Sequence, residues 1–260
     1  MRVNILASGS TGNASVVEIG GHRFLVDAGI SCKHIEFGLM QCGYKGHDLS
    51  GVLITHEHSD HIKGLDVLVR RYRIPVFTRE KTWQRITCRD KLPEDCVRTI
   101  EDSLTVGGIR IEAFNISHDA ADPVGFTFFS REHKCTVVTD FGVSNAGIEE
   151  ALQGADVAVV ESNHDLEMLQ KGPYPWYLKE RIRSQQGHLS NHDSGLLLSK
   201  ITDRKKPLHA FLAHLSQENN RPGIAEQSVN QITTAAGIQM GKELILHMTY
   251  PDRISSLQID

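Results

Sequence analysis

One short segment constrains this chain more than any other, because it places four potential metal-binding side chains within six residues. The apolar run at residues 51–54 leads directly into His56, His58, Asp60 and His61. Alternate residues of an extended chain point to the same side, so His56 and His58 face the same way. Clustered imidazoles disfavour each other's protonation unless a metal ion shares their lone pairs. The segment therefore predicts a metal site at the end of a strand, with a helix beginning near Asp60.

Further ligand-type residues follow other apolar runs. His118 follows residues 114–117, Asp140 follows residues 136–139 and His214 follows residues 210–213. Each of the three would by itself more often be an ordinary residue at a strand edge. Because strand ends are where layered α/β proteins assemble their sites, we expect all three to join the histidine-rich segment. The 14 histidines of the chain, several of them clustered with Asp, agree with this prediction.

The spacing of apolar residues predicts a layered α/β fold. Short β-branched runs indicate strands at 3–7, 15–19, 24–29, 51–56, 109–116, 124–129, 135–140, 156–162 and 208–214. Helical spacing indicates helices near 33–41, after His61, and near 148–152, 175–183, 192–202 and 224–236. Strands followed by helices, twice over, predict two β/α halves packed as a sandwich with helices outside. With no linker composition between them, we expect one domain over residues 1–260.

Composition excludes several classes of protein. There is no run of 18 apolar residues, and the beginning of the chain turns polar after Ala7, so we expect neither a membrane span nor a secretion signal. Five cysteines without CxxC spacing are typical of reduced thiols, and we expect a cytoplasmic protein. Net charge is −4, yet residues 63–91 and 171–206 carry local charges of +6 and +5. Those segments suit a polyanion, or are simply solvated helix faces.

The order of these residues is similar to the complete motif set of the metallo-β-lactamase superfamily, over nearly the whole chain. The resemblance implies an αββα sandwich with the site at the edge of both sheets. It also implies two divalent ions, zinc or manganese, since the ligands are nitrogen and oxygen atoms. The implied ligand sets are His56, His58 and His118 for one ion, and Asp60, His61 and His214 for the other, with Asp140 bridging. Such a pair lowers the pKa of a shared water and supplies a hydroxide nucleophile.

Within that superfamily, the interval between Asp140 and His214 favours a nuclease. Its 73 residues are too few for an inserted cap domain, and they contain the segments ESNHD (161–165) and GHLSN (187–191). Their order resembles the tRNA-processing endonucleases, although this chain lacks a tRNA-clamping arm. It is more similar to the WalJ (YycJ)-type bacterial exonucleases, which it also resembles at SGSTGN (8–13) and HLSQENN (214–220). That resemblance implies hydrolysis of DNA from its ends in the 5′-to-3′ direction.

Three residues receive catalytic roles under this hypothesis. Asp60 would accept a proton from the attacking water while also binding a metal ion. His188 would donate a proton to the leaving alkoxide, and Glu161 would orient His188. Because alkoxides leave poorly, a general acid there contributes about 10²–10⁴ in rate. The alternative is that His188 and Glu161 are ordinary residues at a helix entry and a strand end.

Four residues are candidates for substrate binding. Ser10 and Asn13 lie in the small-residue loop 8–13, which either presents donors to a terminal phosphate or is a plain glycine-rich hairpin. His164 either contacts phosphate or packs inside the protein. Arg221 follows His214 closely and is a candidate phosphate contact.

Other functions stay open from the sequence. A hydrolase of cyclic nucleotides or other small phosphodiesters would need the same metal site but not the basic segments. A thioesterase or lactonase has a better leaving group and needs no dedicated acid at His188. A regulatory metal-binding protein would tolerate the loss of ligands, and this chain retains all seven.

Overall fold

Fourteen strands form two sheets of seven within residues 1–200 and 206–260, which the computed structural model describes. The strands are β1 (Arg2–Ala7), β2 (Ala14–Ile19), β3 (His22–Val26), β4 (Gly51–Leu53), β5 (Val76–Thr78), β6 (Val97–Thr99), β7 (Ser103–Val106), β8 (Ile109–Asn115), β9 (Val124–Phe129), β10 (Lys134–Val138), β11 (Val157–Glu161), β12 (Leu208–Ala213), β13 (Leu244–Met248) and β14 (Ser255–Gln258).

Both sheets are mixed, and each has an antiparallel half and a parallel half. The first has the order β14-β1-β2-β3-β4-β5-β6, and pairing is antiparallel up to β3 and parallel beyond it. The second has the order β13-β12-β11-β10-β9-β8-β7, and its parallel half runs from β10 to β13. Since β14 pairs with β1, the two ends of the chain share one sheet. This pairing agrees with our expectation that residues 1–260 form one domain. That expectation remains a prediction.

Helices follow the parallel strands of each sheet. They are α1 (Cys32–Gln41), α2 (Ser59–Ile62), α3 (Leu65–Tyr72), α4 (Glu80–Trp83), α5 (Ala146–Leu152), α6 (Leu166–Lys171), α7 (Trp176–Arg183), α8 (Asn191–Ser199) and α9 (Pro222–Ala235). The helix predicted at 192–202 corresponds to α8, and residues 201 and 202 lie outside the described part of the chain. In the part that is described, no helix is both long and apolar enough to cross a bilayer.

The side chains of each strand alternate between two apolar layers. In β2, Val17 faces the space between the sheets, while Val16 packs under the outer helices of the first sheet. Between the sheets, Phe24 of β3 meets Phe128 of β9, with ring centroids 5.5 Å apart. A third cluster, which includes Leu212, lies between the second sheet and its own outer helices. This arrangement confirms the predicted sandwich with helices outside.

The helix predicted after His61 is broken in two. α2 ends at Ile62, and α3 begins at Leu65 after Gly64. A Cβ atom on Gly64 would lie 2.2 Å from the carbonyl oxygen of Ile30, so only glycine permits this close passage. The helix begins near Asp60 as predicted, since α2 begins at Ser59 and Asp60 lies in its first turn. The apolar spacing of residues 62–69 is continuous, so it did not predict this break, where the backbone at Gly64 passes close to that of Ile30.

Candidate metal centre and catalytic pocket

The structure brings the seven predicted ligand residues together along one rim of the sandwich. His56, His58 and His118 form one group, with ring centroids 4.6 to 5.1 Å apart. A second group contains one potential ligand atom each from Asp60, His61 and His214. Within each group, these atoms lie within 4.8 Å of one another.

Asp140 lies between these two groups. It forms a third set of adjacent ligand atoms with His56 and His61, one residue from each group. Its Oδ2 atom lies 3.3 Å from His61 Nε2, and its Oδ1 atom lies 3.3 Å from His214 Nδ1. The position is the one that a shared ligand would need.

Several buried polar atoms in this cluster have no suitable partner in the part of the chain that the structure describes. Asp140 Oδ2 and His214 Nε2 are buried without a well-formed hydrogen bond to any described residue. His56 Nε2 and His58 Nδ1 face each other at 3.1 Å, a contact that satisfies both atoms only if a proton lies between them. Since buried polar groups are almost always paired, the cluster calls for a cation. Nitrogen and carboxylate donors suit divalent metal ions, and the residues present therefore fit such ions.

The charge states of the histidines agree with this conclusion. Burial lowers the pKa of His56 well below its usual value and lowers that of His118 too, so both rings are neutral and keep their lone pairs. Burial acts the same way on His61, but the carboxylates of Asp27 and Asp140 outweigh it and hold its pKa well above the usual value. A positive charge in the cluster is thus favoured beside Asp140, where a metal cation would supply it.

Sequence reasoning missed Asp27, which fixes the orientation of His61. Asp27 Oδ2 lies 2.8 Å from His61 Nδ1, so the other ring nitrogen of His61 is turned toward Asp140. Thr55 donates to the same carboxylate from its backbone N–H at 2.9 Å and from its hydroxyl. Asp27 follows the apolar strand β3 just as Asp140 follows β10, and that pattern could have identified it.

Left-handed backbone marks the ends of three site strands. Asp27, Asp140 and His214 have φ values of 61°, 61° and 57°, and Arg73 is the other non-glycine residue with positive φ in the described chain. Such a conformation costs of order 1–3 kcal/mol and persists only where the surroundings enforce it. Its concentration at these strand ends shows that the fold turns the chain sharply to aim these side chains into the cluster.

Gly29 permits the close approach of two loops at the same rim of the sandwich. A Cβ atom on Gly29 would lie 1.6 Å from the carbonyl oxygen of Asp60. That carbonyl accepts the backbone N–H of Asn13, and Ala28 donates its own N–H to the carbonyl of His61, both at 2.8 Å. These hydrogen bonds join the loops around Asn13 and Ala28 to the metal-binding segment at Asp60 and His61.

Glu161 connects His188 to the cluster. One carboxylate oxygen, Oε1, accepts from His188 Nδ1 at 2.8 Å and from His214 Nδ1 at 2.9 Å. The other, Oε2, accepts the backbone N–H of Phe141 at 2.8 Å. Burial raises the pKa of Glu161, but its contacts with His188 and His214 outweigh burial and lower it, so the group is a carboxylate. Because Nδ1 is bonded to Glu161, Nε2 is the ring nitrogen of His188 that is free to face the adjoining pocket.

A pocket of about 180 Å³ opens beside these residues. Its walls include His118, His188 and His214 of the cluster, and Ser10 from the loop after β1. Sequence reasoning had not identified Asn163, Ser216 or Arg181, which also line it.

The other three predicted substrate-binding residues lie elsewhere. Asn13 is 7% exposed; its Oδ1 accepts the N–H of Gly9, and its Nδ2 lies 3.2 Å from Nε2 of the proposed ligand His61, so it adjoins the cluster without lining the pocket. His164 is 2% exposed, and burial lowers its pKa to about 4. The Arg221 guanidinium is exposed but donates to the carbonyl of Gln217 at 2.6 Å, and it does not line the pocket. In this conformation none of the three reaches the pocket, because each is buried or committed to local backbone.

Much of the positive charge at 63–91 is neutralised locally. Arg70, Arg71, Arg73 and Arg89 each form an ion pair with a nearby Asp or Glu. The second basic segment, 171–206, includes residues 201–205, which lie outside the described chain. The first segment is therefore a weaker attraction for a polyanion than its net charge suggested.

Two mixed sheets between outer helices, with a His and Asp cluster at one rim, define a protein of the metallo-β-lactamase fold. A family model described as a beta-lactamase superfamily domain matches residues 22–210. The solved structure of the metallo-beta-lactamase fold protein YhfI from Bacillus subtilis superposes with a TM-score of 0.70 at 15% identity, over 98% of each chain. That likeness concerns the fold.

Closer similarity comes from two bacterial sequences. Exodeoxyribonuclease YycJ of Bacillus anthracis is 41% identical over 99% of this chain and 98% of its own length. Exodeoxyribonuclease WalJ of Streptococcus pneumoniae serotype 2 is 36% identical over 98% of this chain and 97% of its own. The chain belongs to the beta-lactamase superfamily and, within it, to the family that contains YycJ and WalJ.

Proposed function

We propose that this protein is a metal-dependent phosphodiesterase that degrades DNA from its ends in the 5′-to-3′ direction. The observation that carries the proposal is the Glu161–His188 pair, joined through His214 to the metal-binding cluster at the floor of an open pocket. Identity over nearly full length to proteins named exodeoxyribonuclease supports DNA as the substrate. A cytoplasmic location is part of the same proposal.

Two divalent ions, zinc or manganese, complete the site in this proposal. One would be bound by His56, His58 and His118, and the other by Asp60, His61 and His214. Asp140, between the two groups, would be shared. When bound, such ions polarise the phosphoryl oxygens and make a water molecule acidic enough to act as the nucleophile.

Asp60 is the carboxylate in the cluster that solvent reaches. Its side chain is 25% exposed, against 3% for Asp140. Asp60 would therefore accept the proton of the attacking water at its outer oxygen, whereas Asp140 is enclosed and acts only as a ligand.

His188 would protonate the leaving oxygen from Nε2. Its side chain is 23% exposed, and Glu161 fixes its ring through Nδ1. The Glu161 carboxylate on Nδ1 holds the ring in one orientation, which leaves Nε2 as the atom that would carry the transferred proton. Because Glu161 also accepts a hydrogen bond from His214, one carboxylate positions both the proposed proton donor and a proposed metal ligand.

The proposal is tested with purified protein whose metal content has been measured. The substrates are linear duplex DNA with and without a 5′-phosphate, closed circular DNA, RNA and bis(p-nitrophenyl) phosphate. Among the nucleic acids, we expect the wild-type protein to release mononucleotides from linear DNA alone. The Asp60→Ala protein should release none. Asp252→Ala, which alters an exposed aspartate outside the cluster, should leave activity unchanged.

Two outcomes would contradict the proposal. Activity on the small diester without activity on DNA would identify a small-molecule phosphodiesterase. Inactivity on every phosphate substrate, by protein that retains its metal, would direct attention to thioesters and lactones.

A further inference from the structure

Trp176 and Tyr177, on a helix that lines the pocket, have largely exposed aromatic side chains. Trp176 is 73% exposed and Tyr177 is 75% exposed, the highest values among the large apolar side chains of the described chain. Single exposed apolar residues are ordinary on protein surfaces, but two adjacent aromatic rings present a substantial apolar area to water. They contribute little to the core, so they are available to contact something else.

The helix that carries them also forms a wall of the pocket. Leu178, Arg181 and Ile182 of α7 line the pocket, and so does Tyr174 just before the helix. Residues three and four apart are neighbours on a helix surface. Tyr177 is four residues from Arg181 and so lies beside the pocket-lining residues of α7, although it does not itself line the pocket. Trp176, the first residue of the helix, lies about 100° farther around it.

Local contacts hold this helix in place. Lys179 Nζ donates to the carbonyl oxygens of Gln170 and Gly172, both at 2.7 Å, and so ties α7 to the end of α6. Arg181 pairs with Asp119, which follows His118, at 2.6 Å. The aromatic pair is therefore presented on a helix anchored at both the preceding helix and the rim of the site.

The same segment is basic in an acidic protein. Residues 171–183 contain four Lys or Arg residues and one Glu, whereas the whole chain has a net charge of −4. Lys171 pairs with Glu167 and Arg181 with Asp119, so part of this positive charge is neutralised locally. Arg183 is exposed and belongs to no ion pair among the described residues. Cationic side chains interleaved with exposed aromatic rings are the combination that binds single-stranded nucleic acid, with phosphates held by charge and bases by stacking.

We propose that α7 is a stacking platform for unpaired nucleotides next to the phosphate in the pocket, with one base on Tyr177 and the next on Trp176. This inference rests on the proposed function, because it takes the occupant of the pocket to be a nucleic acid strand. Stacking uses the face of a base, so the platform selects unpaired strands without selecting sequence. The enzyme would therefore engage frayed or single-stranded ends better than blunt paired ends.

The test uses the metal-loaded protein and a single-stranded phosphorothioate oligonucleotide that resists hydrolysis. Trp83 is 3% exposed, so of the two tryptophans Trp176 is the one a base can reach, and its fluorescence should be quenched on binding. Trp176→Ala and Tyr177→Ala should each raise Kd and the KM for single-stranded DNA by about tenfold, from the usual size of one stacking contact. Trp176→Phe should recover most of the affinity.

Two controls show whether the effect belongs to base stacking on α7. Phe37→Ala removes a 57% exposed aromatic ring on α1, outside the pocket, and should change neither Kd nor KM. The kcat for bis(p-nitrophenyl) phosphate should be unchanged in the α7 variants, because its phosphate reacts in the pocket, which neither Trp176 nor Tyr177 lines.

Failure of the platform and failure of the proposed function give different results. If wild-type protein degrades DNA and both α7 variants keep its KM and Kd, the platform is wrong and the proposed function stands. If wild-type protein binds the oligonucleotide through Trp176 but does not cleave DNA, the proposed function fails while the platform stands. If the variants instead abolish a dimer seen by light scattering and leave oligonucleotide binding intact, the platform is wrong and the aromatic pair is a contact between copies of the chain.

Discussion

Replacing His188 by alanine isolates the proton-donor step from metal binding. Truncation removes one of three hydrogen bonds to the Glu161 carboxylate, and His214 Nδ1 and Phe141 N–H still satisfy both of its oxygens. We therefore expect a loss of folding stability of only about 1–2 kcal/mol. Metal content should be that of the wild type, because all seven proposed ligands remain.

The catalytic effect of His188→Ala should depend on the leaving group. For DNA, kcat should fall by about 10²–10⁴, equivalent to about 3–5 kcal/mol of barrier. For bis(p-nitrophenyl) phosphate, whose nitrophenolate leaves without a proton, kcat should change little. His192→Ala, at a half-exposed histidine on α8, is the matched control and should affect neither substrate.

Steady-state kinetics on both substrates, with metal analysis of every preparation, checks this prediction. An equal loss on DNA and on the nitrophenyl diester would refute the proton-donor role of His188. Loss of metal from the His188→Ala protein would show instead that the residue supports the metal centre.

Three further predictions follow from the site and the core. Asp27→Ala removes the partner of His61 and should weaken metal affinity by about 10- to 100-fold, measured by competition with a chromogenic chelator. Gly29→Ala should destabilise the protein by at least about 3 kcal/mol, because its Cβ atom meets backbone at 1.6 Å, whereas Gly223→Ala, with open space around it, should not lower the melting temperature. Phe126→Ala, in the layer between the sheets, should cost about 3–5 kcal/mol in urea unfolding.

The layered fold was predictable because it is encoded locally. Strands buried on both faces appear as continuous apolar runs, and nine such runs correspond to strands of the structure. Five strands of the described chain were not predicted, namely β5, β6, β7, β13 and β14. β14 is a short edge strand with mostly polar side chains, and its pairing with β1 joins residues at opposite ends of the chain. Such a contact leaves no trace in local periodicity.

The candidate site was predictable where ligand-type residues followed apolar strands. The same rule would have found Asp27, but the predicted strand at 24–29 runs through this residue, whereas β3 ends at Val26 just before it. His164 and Asn13, which we expected to contact substrate, have enclosed side chains and do not line the pocket. Whether a polar residue beside a motif faces the pocket or the interior depends on loop packing, and the sequence does not specify that packing.

The direction of degradation by metal-loaded protein tests the proposed exonuclease activity most directly. Linear duplex DNA labelled at the 5′ end or at the 3′ end is incubated with protein of known metal content, and the products are followed with time. We expect immediate release of labelled mononucleotide from the 5′-labelled strand, late release from the 3′-labelled strand, and none after the metal is chelated. Internal fragments from both substrates, or unchanged hydrolysis of DNA by fully metal-free protein, would contradict the proposed activity.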